Sequence, residues 1–398
     1  MSRRRKRFKK KGFFETIDYS RFEKTKPYCQ HFGLCGGCRF QDISYQDQLS
    51  IKKEYLKKIF GWDFEIIESP EKISYRNRMD FVFHKGILGL RKKGDFKFVV
   101  DINDCQLIPT KYQKLYWLVK NEIKNRGISS YDLITQKGFL RYVVFRFAPN
   151  TGEAMIIFTT TKPSSPEEEE DFNNLLETIS TEVKSIYWFI NDGLGDLSIP
   201  PLAEAHKVLG TTEIKESLNE IELSFGPKSF FQANSAVSEI ILKDIRSWVL
   251  PGDLVDLCCG VGTIGLSVAD KVRSVVGLES IPEAIEIARK NAKNNKIKNA
   301  LFFTADMKEV MEFTPLNLDT LVIDPPRAGL GLKVIKKIDS LKPERIIYMS
   351  CNPKTQKIDL DHLMMNKEYK IVSYKAYDMF PQTDHVETII ILDKNYED

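Results

Sequence analysis

Residues 256–262 read Asp256-Leu257-Cys258-Cys259-Gly260-Val261-Gly262 and lead into the stretch TIGLSVADKV. The apolar run LVDLC before them has strand character, and the run after them has helical spacing. Glycines at such a strand-to-helix turn let the backbone bend tightly and pass close to a ligand. Moving outward, SVVGLE, LFFTAD, TLVIDPP, RIIYMSC and TIIIL are further short apolar strands, each separated from the next by a helical stretch. Strand–helix alternation of this kind predicts an α/β fold with a mostly parallel, doubly wound sheet, here from about residue 221 to 398.

The turn alone leaves two ligands open. Gly260, Gly262 and Gly265 nearly reproduce the spacing of a dinucleotide site. Glu279 ends the next strand about twenty residues on, where an acid can accept hydrogen bonds from both ribose hydroxyls of either ligand. Two later positions favour S-adenosylmethionine. Asp306 ends a third strand, in reach of an adenine amino group, and Asp324-Pro325-Pro326-Arg327 ends a fourth. Four signals in order at successive strand ends predict a class I methyltransferase domain.

Cys351 follows the strand RIIYMS in Ser350-Cys351-Asn352-Pro353, and Glu387 opens the last strand after Met379-Phe380-Pro381-Gln382-Thr383-Asp384-His385-Val386. A lone cysteine at a strand end is most often an ordinary buried side chain. Uracil C5 chemistry gives this one a use. C5 is a poor nucleophile until a thiolate adds at C6, and the C5 proton must later be removed for the thiol to leave. Cys351 is the candidate nucleophile and Glu387 the candidate base, with Asp384 and His385 as alternatives.

In order along the chain, FFQANSAVSE, DLCCGVGTIG, VIDPPRAG, SCNP and MFPQTDHVE resemble the motifs of the RNA 5-methyluridine methyltransferase family. The resemblance runs from Cys29 to the end. It implies Cys351 as nucleophile, Glu387 as base, and Gln232, Glu279 and Asp324 as S-adenosylmethionine contacts. It extends those contacts to Cys258, Thr263 and Asp306. Relatives often carry an aromatic residue at the position of Cys258 and an amide at that of Thr263. Many also carry a small β-barrel RNA-binding domain ahead of the cysteines, where this sequence has a basic run.

Seven cysteines, an odd number, and no apolar leader argue against a disulfide framework. Cys29, Cys35 and Cys38, with Cys105 further on, make a thiolate set suited to zinc or to an iron–sulfur group. The spacing alone favours zinc slightly. The family resemblance implies a [4Fe–4S] cluster, with a role as fold staple and RNA platform, since methyl transfer to C5 requires no electron.

The net charge of +4 is concentrated in residues 3–11, RRRKRFKKK. Such an arm suits a polyanionic partner, and RNA, either rRNA or tRNA, is the expected one. A solubilising tail is the plainer alternative. Arg76, Arg78, Arg141 and Arg146 are candidate phosphate contacts, and Phe230 and Phe231 could line the space around a flipped base. With 42% hydrophobic and 29% charged residues the chain reads as a folded globular protein rather than a disordered one. No run approaches the roughly 18 apolar residues of a membrane span and no secretory signal is read, so a cytoplasmic protein is expected; nothing in the pattern suggests an obligate assembly, so a monomer is expected too. The pattern divides the chain into a basic tail (1–28), an iron–sulfur segment (29–70), a β-rich RNA-binding domain (71–220) supplying Cys105, and the methyltransferase domain (221–398). Three other functions compete. Exocyclic-amino methyltransferases place an aromatic residue where Arg327 stands. Cytosine-C5 RNA enzymes place a cysteine where Pro326 stands. A non-catalytic RNA-binding or chaperone protein would need neither Cys351 nor Glu387.

Overall fold

The computed structural model describes residues 12–315 and 317–396. The basic run 3–11 lies outside them. None of the described helices is long and apolar enough to cross a membrane.

A short strand, β1 (Ile66–Ile67), follows the helix Tyr45–Phe60, whose N-terminus is capped by Ser44 Oγ accepting from the Asp47 amide at 3.1 Å. Next comes a seven-stranded sheet made of β2 (Arg78–His84), β3 (Ile87–Lys92), β4 (Asp95–Asp101), β5 (Leu140–Phe147), β6 (Ala154–Thr160), β7 (Ser185–Ile190) and β8 (Ala205–Gly210). Its order is β4-β3-β2-β5-β6-β7-β8. Only β6 and β7 pair in parallel, and the helix Pro166–Ser180 makes their crossover. That helix begins as its sequence demands, with Ser165 as N-cap, Pro166 in the first turn and Glu167–Glu169 at the positive end of the dipole. With the helix Gln113–Asn125 it covers one face of the sheet, and Phe145, Phe158, Phe172 and Trp188 pack between the layers.

The hairpin β9 (Ile214–Leu218) and β10 (Ile221–Phe225) leads into the second large sheet. Its strands are β11 (Asp253–Leu257), β12 (Ser274–Glu279), β13 (Ala300–Thr304), β14 (Thr320–Ile323), β15 (Arg345–Ser350), β16 (Tyr369–Tyr377) and β17 (Glu387–Lys394), joined by β1. The order is β1-β16-β17-β15-β14-β11-β12-β13. β11 to β15 run parallel, with helices on both faces, as the alternating sequence predicts. β17 runs antiparallel to both its neighbours, with Ser350 opposite Thr388 and Tyr377 opposite Glu387. The start of β17 therefore lies at the edge of the sheet where the parallel strands end.

Residues 45–67, which the sequence pattern groups with the cysteines, serve this second sheet. Ile66 and Ile67 pair with Ala376 and Tyr377, and Leu49, Leu56 and Phe60 join the core that contains Ile346 and Ile390. The other core joins the two sheets, because Val144, Met155, Tyr187 and Phe189 pack with Phe225, Phe231 and Val237.

Gly277, in the middle of β12, is fixed by space rather than by dihedral angle. A Cβ there would lie 2.4 Å from the Phe302 ring and 3.0 Å from Cys259 Sγ, directly under the 256–262 turn. Gly277→Ala should destabilise the protein by about 1–3 kcal/mol, the usual cost of overpacking, read as a lower denaturant midpoint at unchanged slope.

Candidate active site and cofactor pocket

The 256–262 turn adopts left-handed backbone at three residues, Cys258 (φ 66), Gly260 (φ 54) and Gly262 (φ 86). Glycine takes such angles freely, whereas Cys258 is held there by its surroundings. Behind the turn, Asp256 is buried and its Oδ2 accepts from the Gly265 amide at 2.9 Å, while its Oδ1 has no partner. Gly260 N donates to Glu279 Oε2 at 3.3 Å. Gln232 Nε2 donates to Asp324 Oδ2 at 3.2 Å. Gln232, Cys258, Thr263 and Asp324 line one pocket, with Phe230 and Met349. Glu279 stands beside it, and its Oε1 accepts from Ser280 Oγ and the Ile281 amide. Asp306 is exposed, and its carboxylate caps the turn Met307–Glu309 by accepting from the Lys308 amide at 2.9 Å.

The electrostatics of this pocket are one-sided. Burial, and then the charge of Glu279, pushes the Asp256 carboxyl up to about 7. Burial and the charge of Asp256 raise Asp324 as well, against the hydrogen bond from Gln232. The thiol of Cys258 is raised by burial and by the same carboxylates. Such a hollow favours a ligand that carries positive charge, and the sulfonium of S-adenosylmethionine meets that requirement.

Cys351 and Glu387 come together at the adjoining strand ends. Cys351 is the first residue past β15, and Glu387 is the first residue of the reversed strand β17. Glu387 is buried, and its Oε1 has no hydrogen-bond partner. Burial and the charge of Asp324 raise its carboxyl well above the usual range, and Arg327 opposes them. Burial pushes the half-buried Cys351 thiol up to about 11; the charge of Glu387 adds to this and Arg327 again opposes it. The Arg327 backbone is anchored nearby, its carbonyl accepting from Asn352 Nδ2 at 2.8 Å and Thr355 Oγ1 at 3.2 Å. In the sequence, Arg327 serves only to argue against other enzymes. Its influence on the two candidate groups has no local signal there. Of the alternative bases, Asp384 is paired with Arg39 at 3.0 Å, and His385 Nδ1 lies 3.4 Å from Arg327 Nη2.

Comparison with known proteins accords with this geometry. Residues 206–395 match the family described as tRNA (Uracil-5-)-methyltransferase. The tRNA (uracil(54)-C(5))-methyltransferase of Pyrococcus furiosus is 38% identical over 91% of this chain and 84% of its own length. An RNA methyltransferase of Nanoarchaeum equitans with no assigned substrate is 36% identical over 98% of this chain and 86% of its own. The crystal structure of Pyrococcus abyssi tRNA (uracil-54, C5)-methyltransferase, in complex with S-adenosyl-L-homocysteine, superposes with a TM-score of 0.78 at 33% identity, covering 90% of this chain and 86% of that one. The chain belongs to the tRNA (uracil-5-)-methyltransferase family. It is an S-adenosylmethionine-dependent RNA uracil-C5-methyltransferase by that membership.

In this family member the four expected cluster cysteines are all free thiols, and all four line one open cavity of about 680 Å³. Phe230, Gln232 and Phe380 also line this cavity, and Phe230 and Gln232 line the cofactor pocket as well. Cys29 Sγ accepts from the His31 amide at 3.4 Å, and Cys38 Sγ accepts from Gln41 Nε2 at 3.2 Å. Burial raises Cys38 to about 12 and Cys105 to about 11, and the neighbouring thiols add to each shift. Among the described residues, no three of His, Cys, Asp or Glu are grouped so as to hold a single metal ion.

Two of the four expected phosphate contacts are corrected by the structure. Arg141 is buried, and its guanidinium donates to the carbonyls of Asn191, Gly193 and Gly195. Arg146 is buried too, and donates to the carbonyls of Gly226 and Pro227. Both tie loops to β5 and are turned away from any approaching phosphate. Arg78 is paired with Asp80 at 2.9 Å, and Arg76 lines the cysteine cavity. Phe231 is buried and stacked on Phe225, whereas Phe230 is 64% exposed beside the cofactor pocket.

The raised Asp256 sets a pH dependence with a definite sign. Its folded pKa lies above the ordinary value, so the folded state holds a proton that the unfolded state has released. The protonated form therefore favours folding below the ordinary value, and that advantage is lost as pH rises toward about 7. Relative to Asp256→Asn, which does not titrate, the ligand-free protein should lose stability between about pH 4 and pH 7, by up to about 1.4 kcal/mol for each step of one in pH. Denaturant midpoints of the two proteins across that range check it; parallel curves would contradict the assignment.

Proposed function

We propose that this enzyme methylates C5 of a uridine in tRNA, the position numbered 54, through a covalent adduct between Cys351 and C6. The tRNA assignment is drawn from the Pyrococcus relatives. The observation that carries the mechanism is the meeting of Cys351 and Glu387 at one sheet edge beside the Asp324 pocket.

Gln232, Cys258, Thr263, Glu279, Asp306 and Asp324 are the residues assigned to S-adenosylmethionine. Asp306 serves at the rim, since one of its oxygens is committed to its cap. When bound, S-adenosylmethionine supplies an electrophilic methyl group. The residues of the chain do the rest. Cys351 Sγ, as thiolate, bonds to C6, and the C5–C6 π pair moves to C5 and the C4 carbonyl oxygen. With the methyl group on C5, Glu387 takes the C5 proton, the pair left behind restores the double bond, and the C6–S bond breaks to return the thiolate. Arg327, the cation facing both groups, favours their ionised forms. Attack at C6 comes from the face of the ring, so the target uridine leaves its stack to enter the pocket. The same reading assigns a [4Fe–4S] group to Cys29, Cys35, Cys38 and Cys105, supported by four soft donors, free of disulfides, around one cavity.

With tRNA transcripts labelled by [5-³H]uridine, the protein and S-adenosylmethionine should release tritium. Cys351→Ala should abolish both release and methyl incorporation. Methyl incorporation without tritium release would place the reaction at another atom. Glu387→Gln can still add Cys351 to C6 but has no carboxylate to accept the proton. It should accumulate a protein–RNA adduct that survives denaturing gels, and absence of any adduct would count against the carboxylate as base.

The pH profile follows from the same two groups. Cys351 and Glu387 both have raised pKa values, and both act when deprotonated. The rate at limiting tRNA should therefore climb with pH through the neutral range, and a profile falling from pH 6 to pH 8 would exclude this assignment.

A further inference from the structure

The segment Asp378–Val386 joins β16 to β17 and so delivers Glu387 to the site. Nothing bonded to Glu387 Oε1 fixes its side chain. Its position rests on the backbone that precedes it. That backbone is tied down by residues that follow the cysteines in sequence. Gln382 is buried in left-handed conformation (φ 68), a costly state for a non-glycine residue that persists only when its surroundings enforce it. Its carbonyl accepts from the amides of Arg39 at 2.7 Å and Phe40 at 3.1 Å. Its own amide donates to Gln48 Oε1 at 3.1 Å, and Gln48 Nε2 donates back to Gln382 Oε1 at 3.0 Å. Lys52, one turn further along the same helix, is wholly buried against Asp378 and donates to the Phe380 carbonyl at 3.2 Å. Tyr75 Oη donates to the Pro381 carbonyl at 2.9 Å, and Arg39 pairs with Asp384.

We infer that Gln48, Lys52 and the Arg39–Phe40 backbone form a latch that positions the loop entering Glu387, so that the cysteine-bearing segment sets the catalytic base. The latch begins at the residue after Cys38. Gln41 binds Cys38 Sγ with its amide nitrogen and the Cys29 amide with its oxygen, which joins the thiol site to the latch within four residues. The inference rests on the role proposed for Glu387. It gives the cysteine segment a task in the reaction itself, beyond holding the fold or the RNA. Gln48, Lys52 and Gln382 are positioning residues, since they act through the loop. Misplacement of a reacting group by about 1 Å can cost about a hundredfold in rate, so a loosened loop should be read in turnover.

The test uses the full chain with Gln48→Ala and, separately, Gln382→Gly, which keeps the left-handed turn without strain and removes the side-chain amide contacts. In both, hydrogen exchange across 379–388 should quicken relative to the unaltered protein, and kcat should fall about tenfold or more while KM for tRNA stays within about twofold. Slower proton removal should also raise the level of the covalent RNA adduct. Cys38→Ser should quicken exchange in the same peptide. A rise in KM with unchanged kcat would make the segment an RNA platform and overturn the latch. So would faster exchange with unchanged kcat, or an unaltered peptide in Cys38→Ser. If Gln382→Gly does not fold, Gln48→Ala, in the first turn of a well-capped helix, carries the comparison. If the unaltered protein releases no tritium, the proposed function fails on its own, and the exchange of 379–388 still decides the latch.

Discussion

The site depends on one reversal of chain direction. A parallel sheet gathers its carboxyl ends at one edge, and ligands bind there. β11, β12 and β14 bring Cys258, Glu279 and Asp324 to that edge, and β15 brings Cys351. A sixth parallel strand would deliver only its last residue. Because β17 runs the other way, its first residue arrives instead, and the register Ser350 with Thr388 sets Glu387 next to Cys351. Shifting that register by one residue would turn Glu387 to the opposite face of the sheet. The cores on both faces of β17, from Ile389 to Leu392, hold the register against such a slip.

The chemistry asks for a surplus of buried negative charge, and folding opposes it. Asp256, Asp324 and Glu387 are brought together with few hydrogen bonds, and two of the three carry an oxygen with no partner. Burial of this kind costs stability in the empty protein. Several buried polar groups elsewhere are better engaged. Arg141 and Arg146 satisfy loop carbonyls, and Asn291 bridges the Ser224 backbone and the Val261 carbonyl. Asp256 and Glu387 share this feature with Arg141, Ser185, Asp339, Tyr369 and Asp378, each of which also keeps one buried polar atom without a partner.

What is legible in the sequence follows physical period. β11 to β15 and β17 are apolar runs with Gly, Asp or Cys close to their ends, so both the doubly wound sheet and the residues at its strand ends can be read directly. β1, only two residues long, and β16, mixed in character, have no such signal, so position alone groups residues 45–67 with the cysteines. Arg141 and Arg146 show the limit of reading charge from sequence. On a strand, an arginine looks like a surface cation until the loops that accept its protons are placed around it. Gln48 and Gln382 stand at opposite ends of the chain and carry no charge, so only the folded backbone could show them facing each other.

A thiol raised to about 11 and a carboxyl raised well above its usual range describe a resting site rather than a working one. Both shifts share causes that a ligand can remove. Asp324 raises Glu387, and Glu387 raises Cys351, so the three groups form a chain of like charges, with Arg327 as the cation opposing the last two. A single positive charge roughly 5 Å from a carboxylate, at an effective dielectric of about 20, is worth about 3 kcal/mol, enough to lower the pKa by roughly two. A cationic ligand compensating Asp324 would thus release Glu387 toward its ionised form. The carboxylate form of Glu387 is then favoured by the presence of a cationic ligand, while its charge continues to raise Cys351.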